Sequence, residues 1–193
     1  MMTTAEHPIE ERILQVLQHL VIAQAHIAAR VPGDWQSLTS AHPESIASLT
    51  LVCPQGMEPG ILAPLASRLL VISGDRGRPA DRARRVVMNL PEATLHILPD
   101  YVSPTPYTDL AVDRADEIGA AMTDFLARID QRQGTRPASV SQGEGEVAGI
   151  SYRVQGSGPP LVLLPLSVAP SQWEPLLPRL SKHYCTITLS GPA

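Results

Sequence analysis

Ala28-Ala29-Arg30-Val31-Pro32-Gly33 is the stretch on which the reading of the fold turns. A short apolar run, Ala25 to Ala28, leads into it, and a predicted helix, Asp34 to Ala41, leads out. Strand, sharp turn and helix in that order form the setting of a nucleophile elbow, whose usual sequence is Gly-x-Ser-x-Gly. Arg30 stands at the serine position, with Ala28 and Pro32 at those of the glycines. A guanidinium stays protonated and cannot attack a carbonyl. The turn keeps its setting and loses its chemistry.

Working outward, Pro8 to Leu20 reads as an amphipathic helix. Ile9, Ile13, Val16, Leu17 and Leu20 share one face, and Pro8 suits the first turn. After the elbow helix, Pro43 disfavours helical geometry at His42. Ser48 to Cys53 is a nearly all-apolar strand of the kind buried in parallel sheets. Residues 55–67 read as a Pro- and Gly-rich loop with one helical turn. Arg68 to Ser73 is a strand, Ala80 to Leu90 a helix and Thr94 to Leu98 a strand. Pro99 to Tyr107 is a loop, and Asp113 to Ile129 is a helix with Ile118, Met122, Phe125, Leu126 and Ile129 on one face.

Residues 131–145 carry no apolar periodicity and read as a linker. Beyond them come a strand from Gly149 to Gln155, a turn at Gly156-Ser157-Gly158 and a strand from Leu161 to Leu164. A helix from Ser171 to Leu180 and a last strand from Tyr184 to Leu189 complete the pattern. Alternating strands and helices predict an α/β fold: a mostly parallel central sheet of about seven strands with helices on both faces.

The 193 residues suffice for one domain spanning 1–193. The 44% hydrophobic content makes it globular, and the 4% aromatic content builds the core from Leu, Val, Ile and Ala. A net charge of −4 gives no general attraction to nucleic acid. Cys53 and Cys185 sit in apolar runs and read as buried thiols of a reducing compartment. The polar start, Met1 to Glu11, is unlike a signal peptide, and no apolar run reaches the ~20 residues of a membrane span. A soluble cytoplasmic protein is expected. Zinc spacing, a Walker loop and a dinucleotide fingerprint are all missing, so neither metal nor cofactor is expected.

Ile150 to Pro165 resembles the opening of the α/β-hydrolase fold family: an early strand, a Gly turn and the strand leading to the oxyanion loop. Ser171 to Leu180 resembles that family's first helix, and Thr186 to Pro192 its next strand and loop. Residues 8–130 resemble the later part, from the helix before the elbow to the strands that carry the acid and the histidine. The resemblance therefore implies a circular permutation. Residues 1–130 are the later portion, 131–145 the join, and 146–193 the front portion, with the cut between the strand at Thr186 and the helix at Pro8. The join would cross roughly seven strands, about 29 Å, and residues 131–145, fully extended, span about 50 Å. Two alternatives survive: a swapped homodimer, or a piece of a longer protein.

The family's acyl-transfer site needs a nucleophile, a base, an acid and oxyanion donors. By the resemblance, the nucleophile slot holds Arg30 and the acid slot Gly77, with Asp75 two residues early. The histidine slot holds Ser103, and the oxyanion loop reads Pro165-Leu166, where Leu166 hinders backbone approach. None of His7, His19, His26, His42, His96 and His183 falls where a base is expected.

Three functional expectations follow. The first is a catalytically degenerate domain used for binding or scaffolding. The second is small-anion binding at the elbow, with Arg30, Gly33, Asp34 and Leu166 around a carboxylate or phosphate at a helix N-terminus. The third is a hydrolase using Asp34, Asp75 or Ser103. A run of Arg76, Arg78, Arg82, Arg84 and Arg85 reads as a solvated helix face or as a contact for an anionic partner.

Overall fold

The computed structural model of the chain describes residues 9–30, 38, 41–54, 56–102, 113–166 and 170–190. Helix α1 (Ile9–His19) leads to strand β1 (Ala25–Ala29) and then β2 (Ile46–Val52). A short helix α2 (Pro59–Leu62) and a 3-10 turn (Ala63–Arg68) precede β3 (Leu69–Arg76), α3 (Arg78–Met88) and β4 (Thr94–Val102). Helix α4 (Ala115–Gln133) follows, ended by Gly134 in the left-handed conformation at φ 66°. Strands β5 (Gly143–Val147), β6 (Ile150–Gln155) and β7 (Pro160–Leu163) come next. A 3-10 turn (Pro170–Trp173), a four-residue helix α5 (Leu177–Leu180) and β8 (Cys185–Ser190) close the described chain.

All eight described strands lie in one sheet, ordered β4-β3-β2-β1-β7-β8-β6-β5. Five neighbouring pairs are parallel, and β5–β6 and β6–β8 are antiparallel. The sequence reading expected about seven strands. The eighth, β5, begins inside the stretch read as linker, at Gly143, and runs past its end to Val147. Its Gly-Glu-Gly-Glu sequence has no apolar pattern, because an edge strand of an antiparallel pair needs little burial on either face.

The other end of the expected linker is helical, since α4 runs on to Gln133. The crossing is therefore made by α4 and residues 134–142 together. A helix of this length covers about 28 Å. The Ala138 amide donates to the Gly158 carbonyl at 2.9 Å, and Ala138 and Val140 pack against the core. The expected helix from Ser171 to Leu180 is a 3-10 turn and a short helix instead. Pro175 and Pro178 withhold amide donors inside that span.

Two apolar layers flank the sheet. Ile13, Val16 and Leu17 of α1, with Ala83 and Val86 of α3, pack on one face. Ile118, Met122, Phe125, Leu126 and Ile129 of α4, with Trp173, Leu176 and Leu180, pack on the other. The N-terminal and C-terminal portions of the chain meet where β1 pairs β7, through His26↔Leu161, Ile27↔Val162 and Ala28↔Leu163. These residues are fully buried, and each large aliphatic side chain sealed here contributes about 1.5–3 kcal/mol. The turn from β6 to β7 needs glycine. A Cβ at Gly156 (φ +77°) would sit 2.3 Å from the Ser181 carbonyl oxygen, and one at Gly158 (φ +121°) 2.2 Å from that of His183.

Candidate functional site

In open parallel α/β sheets the ligand crevice lies beyond the carboxyl ends of the strands. Arg30 follows β1 at that edge and is 1% exposed. Its Nε donates to the Cys53 carbonyl at 3.3 Å. Burial lowers its pKa, partly opposed by the charges that Cys53 and Tyr101 can carry. Cys53 follows β2 at φ 43°, a strained geometry for a residue other than glycine, and is itself buried.

Tyr101 reaches the same edge from β4. Its hydroxyl is buried and has no hydrogen-bond partner among the described residues. Burial pushes the phenol up to about 12, so it is a proton donor throughout the ordinary pH range. Arg114 lies over its ring, 5.3 Å from the centroid, a cation–π distance. The edge thus gathers a buried guanidinium, a thiol and an unpartnered phenol at the ends of three strands.

Asp75, a secondary candidate for the acid, is engaged elsewhere. Its carboxylate accepts the backbone amides of Asp100 and Tyr101, each at 2.9 Å. The Asp100 amide is the main reason its pKa is lowered, with the Tyr101 amide and Arg76 adding to it against a desolvation that raises it. The carboxylate anchors the irregular end of β4, where Asp100 has φ 53°. Gly77 caps α3 at φ 87°, a position glycine suits. Leu166 is buried in the α4-side core, and the carbonyl two residues before it, that of Leu164, takes the Trp173 indole N–H at 2.7 Å. Gly33, Asp34 and Ser103 lie outside the described residues, as does most of the predicted elbow helix.

The arginine run is partly engaged. Arg76 pairs with Asp100, and Arg84 donates to the Asp75 carbonyl at 2.6 Å and to Asp81 at 3.3 Å.

At the opposite end of the strands the structure brings together a group that sequence reasoning missed. His26 Nδ1 lies 2.8 Å from Ser48 Oγ, and its Nε2 2.9 Å from Asp130 Oδ1. The Tyr184 hydroxyl donates to Asp130 Oδ2 at 3.2 Å and its ring meets His26 edge-on. A neutral imidazole that donates Nε2–H to Asp130 and accepts the Ser48 hydroxyl proton at Nδ1 satisfies the whole chain. Burial raises the Asp130 pKa, but the hydrogen bonds from His26 and Tyr184 outweigh it and hold the carboxyl low. The order serine, histidine, aspartate is that of a triad. His26 and Ser48, however, are both 0% exposed and sit at the amino-terminal side of β1 and β2. A signal existed: His26 and Ser48 are polar residues within apolar runs, and they are register partners.

The sequence matches no protein-family model, and a search of curated proteins finds no match. Among the described residues no group of three or more His, Cys, Asp or Glu side chains is placed to hold a metal ion. No described helix is long and apolar enough to cross a membrane.

Proposed function

We propose that the chain is an α/β-hydrolase-like domain, its two portions joined in reverse order, that binds a small carboxylate or phosphate and does not cleave esters. The observation that carries this reading is the buried phenol of Tyr101, unpartnered beside the buried guanidinium of Arg30. A hydroxyl sealed away without a partner costs about 1–3 kcal/mol. An anion's oxygen would accept from it, with the Arg30 guanidinium close by to favour the negative charge. The position that would carry a nucleophile supplies a cation.

The strand order supports the reversed join. Counted from β5, the sheet reads first, second, fourth, third, then fifth to eighth. Every connection then links neighbours or next neighbours, and the long crossing through 134–142 disappears. A chain opened within 134–142 and joined from 190 to 9 by a flexible linker should keep the same circular dichroism and cooperative melting. Loss of cooperative folding would count against the permutation.

The binding reading is tested by thermal melting with acetate and with phosphate. At saturating ligand the melting temperature should rise by a few degrees. Tyr101→Phe, which removes a single oxygen, should fold normally and lose that response. No rise, or an equal rise in Tyr101→Phe, would overturn it.

The Ser48–His26–Asp130 chain supports a second reading, hydrolysis at the other end of the strands. Turnover of an activated ester that vanishes in Ser48→Ala would establish it. The burial of both Ser48 and His26 favours the binding reading.

A further inference from the structure

The α4-side face of the sheet changes character at β8. Thr188 and Ser190 of β8, Ser151 and Arg153 of β6, and Glu144 and Glu146 of β5 replace the aliphatic side chains found from β4 to β7. Helix α4 packs over the apolar part. Beside the polar part, Ser171 and Glu174 rise as a wall, and the open cleft they border measures about 580 Å³.

Strand register arranges the cleft floor in two rows. One row is Glu144–Arg153–Thr188. Arg153 is held there by Glu144 at 3.1 Å and by Glu174 at 3.0 Å. The second row is Glu146–Ser151–Ser190. Among the described residues its carboxylate has no cation beside it.

A polar strand face with scattered charges is ordinary for antiparallel edge strands. Thr188 sets this one apart. It is 9% exposed, lines the cleft, and its Oγ1 has no hydrogen-bond partner among the described residues. Three carboxylates against one guanidinium leave the cleft negative. Two ligand classes fit hydroxyls and carboxylates: a neutral polyol and a small cation. A polyol site gains from an aromatic platform, and the aromatic residue among the described ones lining the cleft, Tyr152, packs its ring against His19 and the α1-side core on the other face. The charge balance favours the cation.

We propose that this cleft binds a small organic cation bearing a primary ammonium group, held by Glu146 and by the hydroxyls of the floor. The ammonium donates three hydrogen bonds and needs acceptors alone. Glu146, Ser151 and the unspent Thr188 hydroxyl supply them, with Arg153 kept aside by its two carboxylates.

The test is a titration of the full chain with diaminobutane, followed by backbone amide shifts, with butanediol as the neutral counterpart. Saturable shifts confined to β5, β6, β8 and the Glu174 segment are expected, with half-saturation in the low-millimolar range. Glu146→Gln, on an exposed edge strand, should leave the melting temperature unchanged and raise the half-saturation point about fivefold. Added salt should weaken binding in the wild type. N-acetyl-lysine amide as a second ligand separates a free diamine from a lysine side chain: tighter binding by either one supports the site and names its source. Shifts that do not saturate, equal affinity in Glu146→Gln, or equal binding of butanediol would overturn the proposal.

Discussion

His26 Nε2 and Asp130 Oδ1 meet at 2.9 Å although 104 residues separate them in the chain. The contact ties the amino-terminal side of β1 to the last turns of α4, the helix that begins the crossing between the two portions. Asp130 is one-fifth exposed at its side chain and His26 is sealed. Removing either partner strands a buried polar group, which is more costly than the bond itself is worth.

Asp130→Asn keeps an acceptor for His26 but loses the one for Tyr184 and the carboxylate charge, and should destabilise the chain by about 1 kcal/mol at neutral pH, measured by urea unfolding. The sign of the pH dependence follows from the lowered Asp130 pKa. Its stabilisation is present above the unfolded-state carboxylate pKa and is lost as pH falls through the folded one, a loss beginning below about pH 4. Asp130→Asn should flatten that acid limb. An unchanged limb would show that the carboxylate contributes nothing to acid stability.

At the alkaline end the sign reverses. Burial raises the phenols of Tyr101 and Tyr184, the first to about 12. The unfolded chain releases these protons near pH 10, and the folded chain holds them. Stability should fall as pH rises above about 10, and tyrosinate absorbance should lag behind that of the unfolded chain. Tyr101→Phe should shrink the lag and, by removing an unpartnered hydroxyl, should be neutral or mildly stabilising at pH 7 in the absence of ligand. A Tyr101→Phe loss of more than about 1 kcal/mol would mean the hydroxyl has a partner.

Trp173 is fully buried, and its indole N–H donates to the Leu164 carbonyl at 2.7 Å. It fills the space between the end of β7 and α4. Trp173→Ala should cost about 3–5 kcal/mol, read as a lower urea midpoint with binding at the β5–β6–β8 cleft retained in the folded fraction.

Gly156→Ala and Gly158→Ala should each destabilise strongly, by about 2 kcal/mol or more. The backbone there has positive φ, and carbonyl oxygens block the new methyl. Gly134→Ala is the control: it has positive φ with nothing within 4 Å. It should lose about 1 kcal/mol, from backbone conformation alone.

Most of the architecture was legible because its strands are buried on both faces and so read as apolar runs. Leu49 to Val52 and Leu69 to Ile72 are such runs, fully buried in the structure. β5 was not legible, since Gly143 to Glu146 owes its strand form to pairing with β6 and not to any pattern of its own. Helix α4 outran its expected end because Gln131, Arg132 and Gln133 are good helix formers whose polar side chains ended the apolar stripe before the helix ended. At the candidate site, the end of β1 was placed by pattern, but Pro99 to Val102, read as loop, continues β4 and carries Tyr101, and the role of Arg30 as a buried cation was not legible. That role depends on Cys53 and Tyr101, which arrive from strands remote in sequence. The His26 group was hidden for the same reason: Ser48 is a register neighbour, but Asp130 comes from a helix a hundred positions away.

The crossing at 134–142 carries a practical corollary. The two portions are attached covalently there and otherwise through the β1–β7 ladder, the α1 and α4 layers and the His26–Asp130–Tyr184 contacts. Cleavage of that segment by a protease should leave a heterodimer of fragments that comigrates in gel filtration. Expressed apart, each fragment would bare one raw strand edge, β1 on one and β7 on the other. Such a pair would serve as a split reporter, silent until its halves meet.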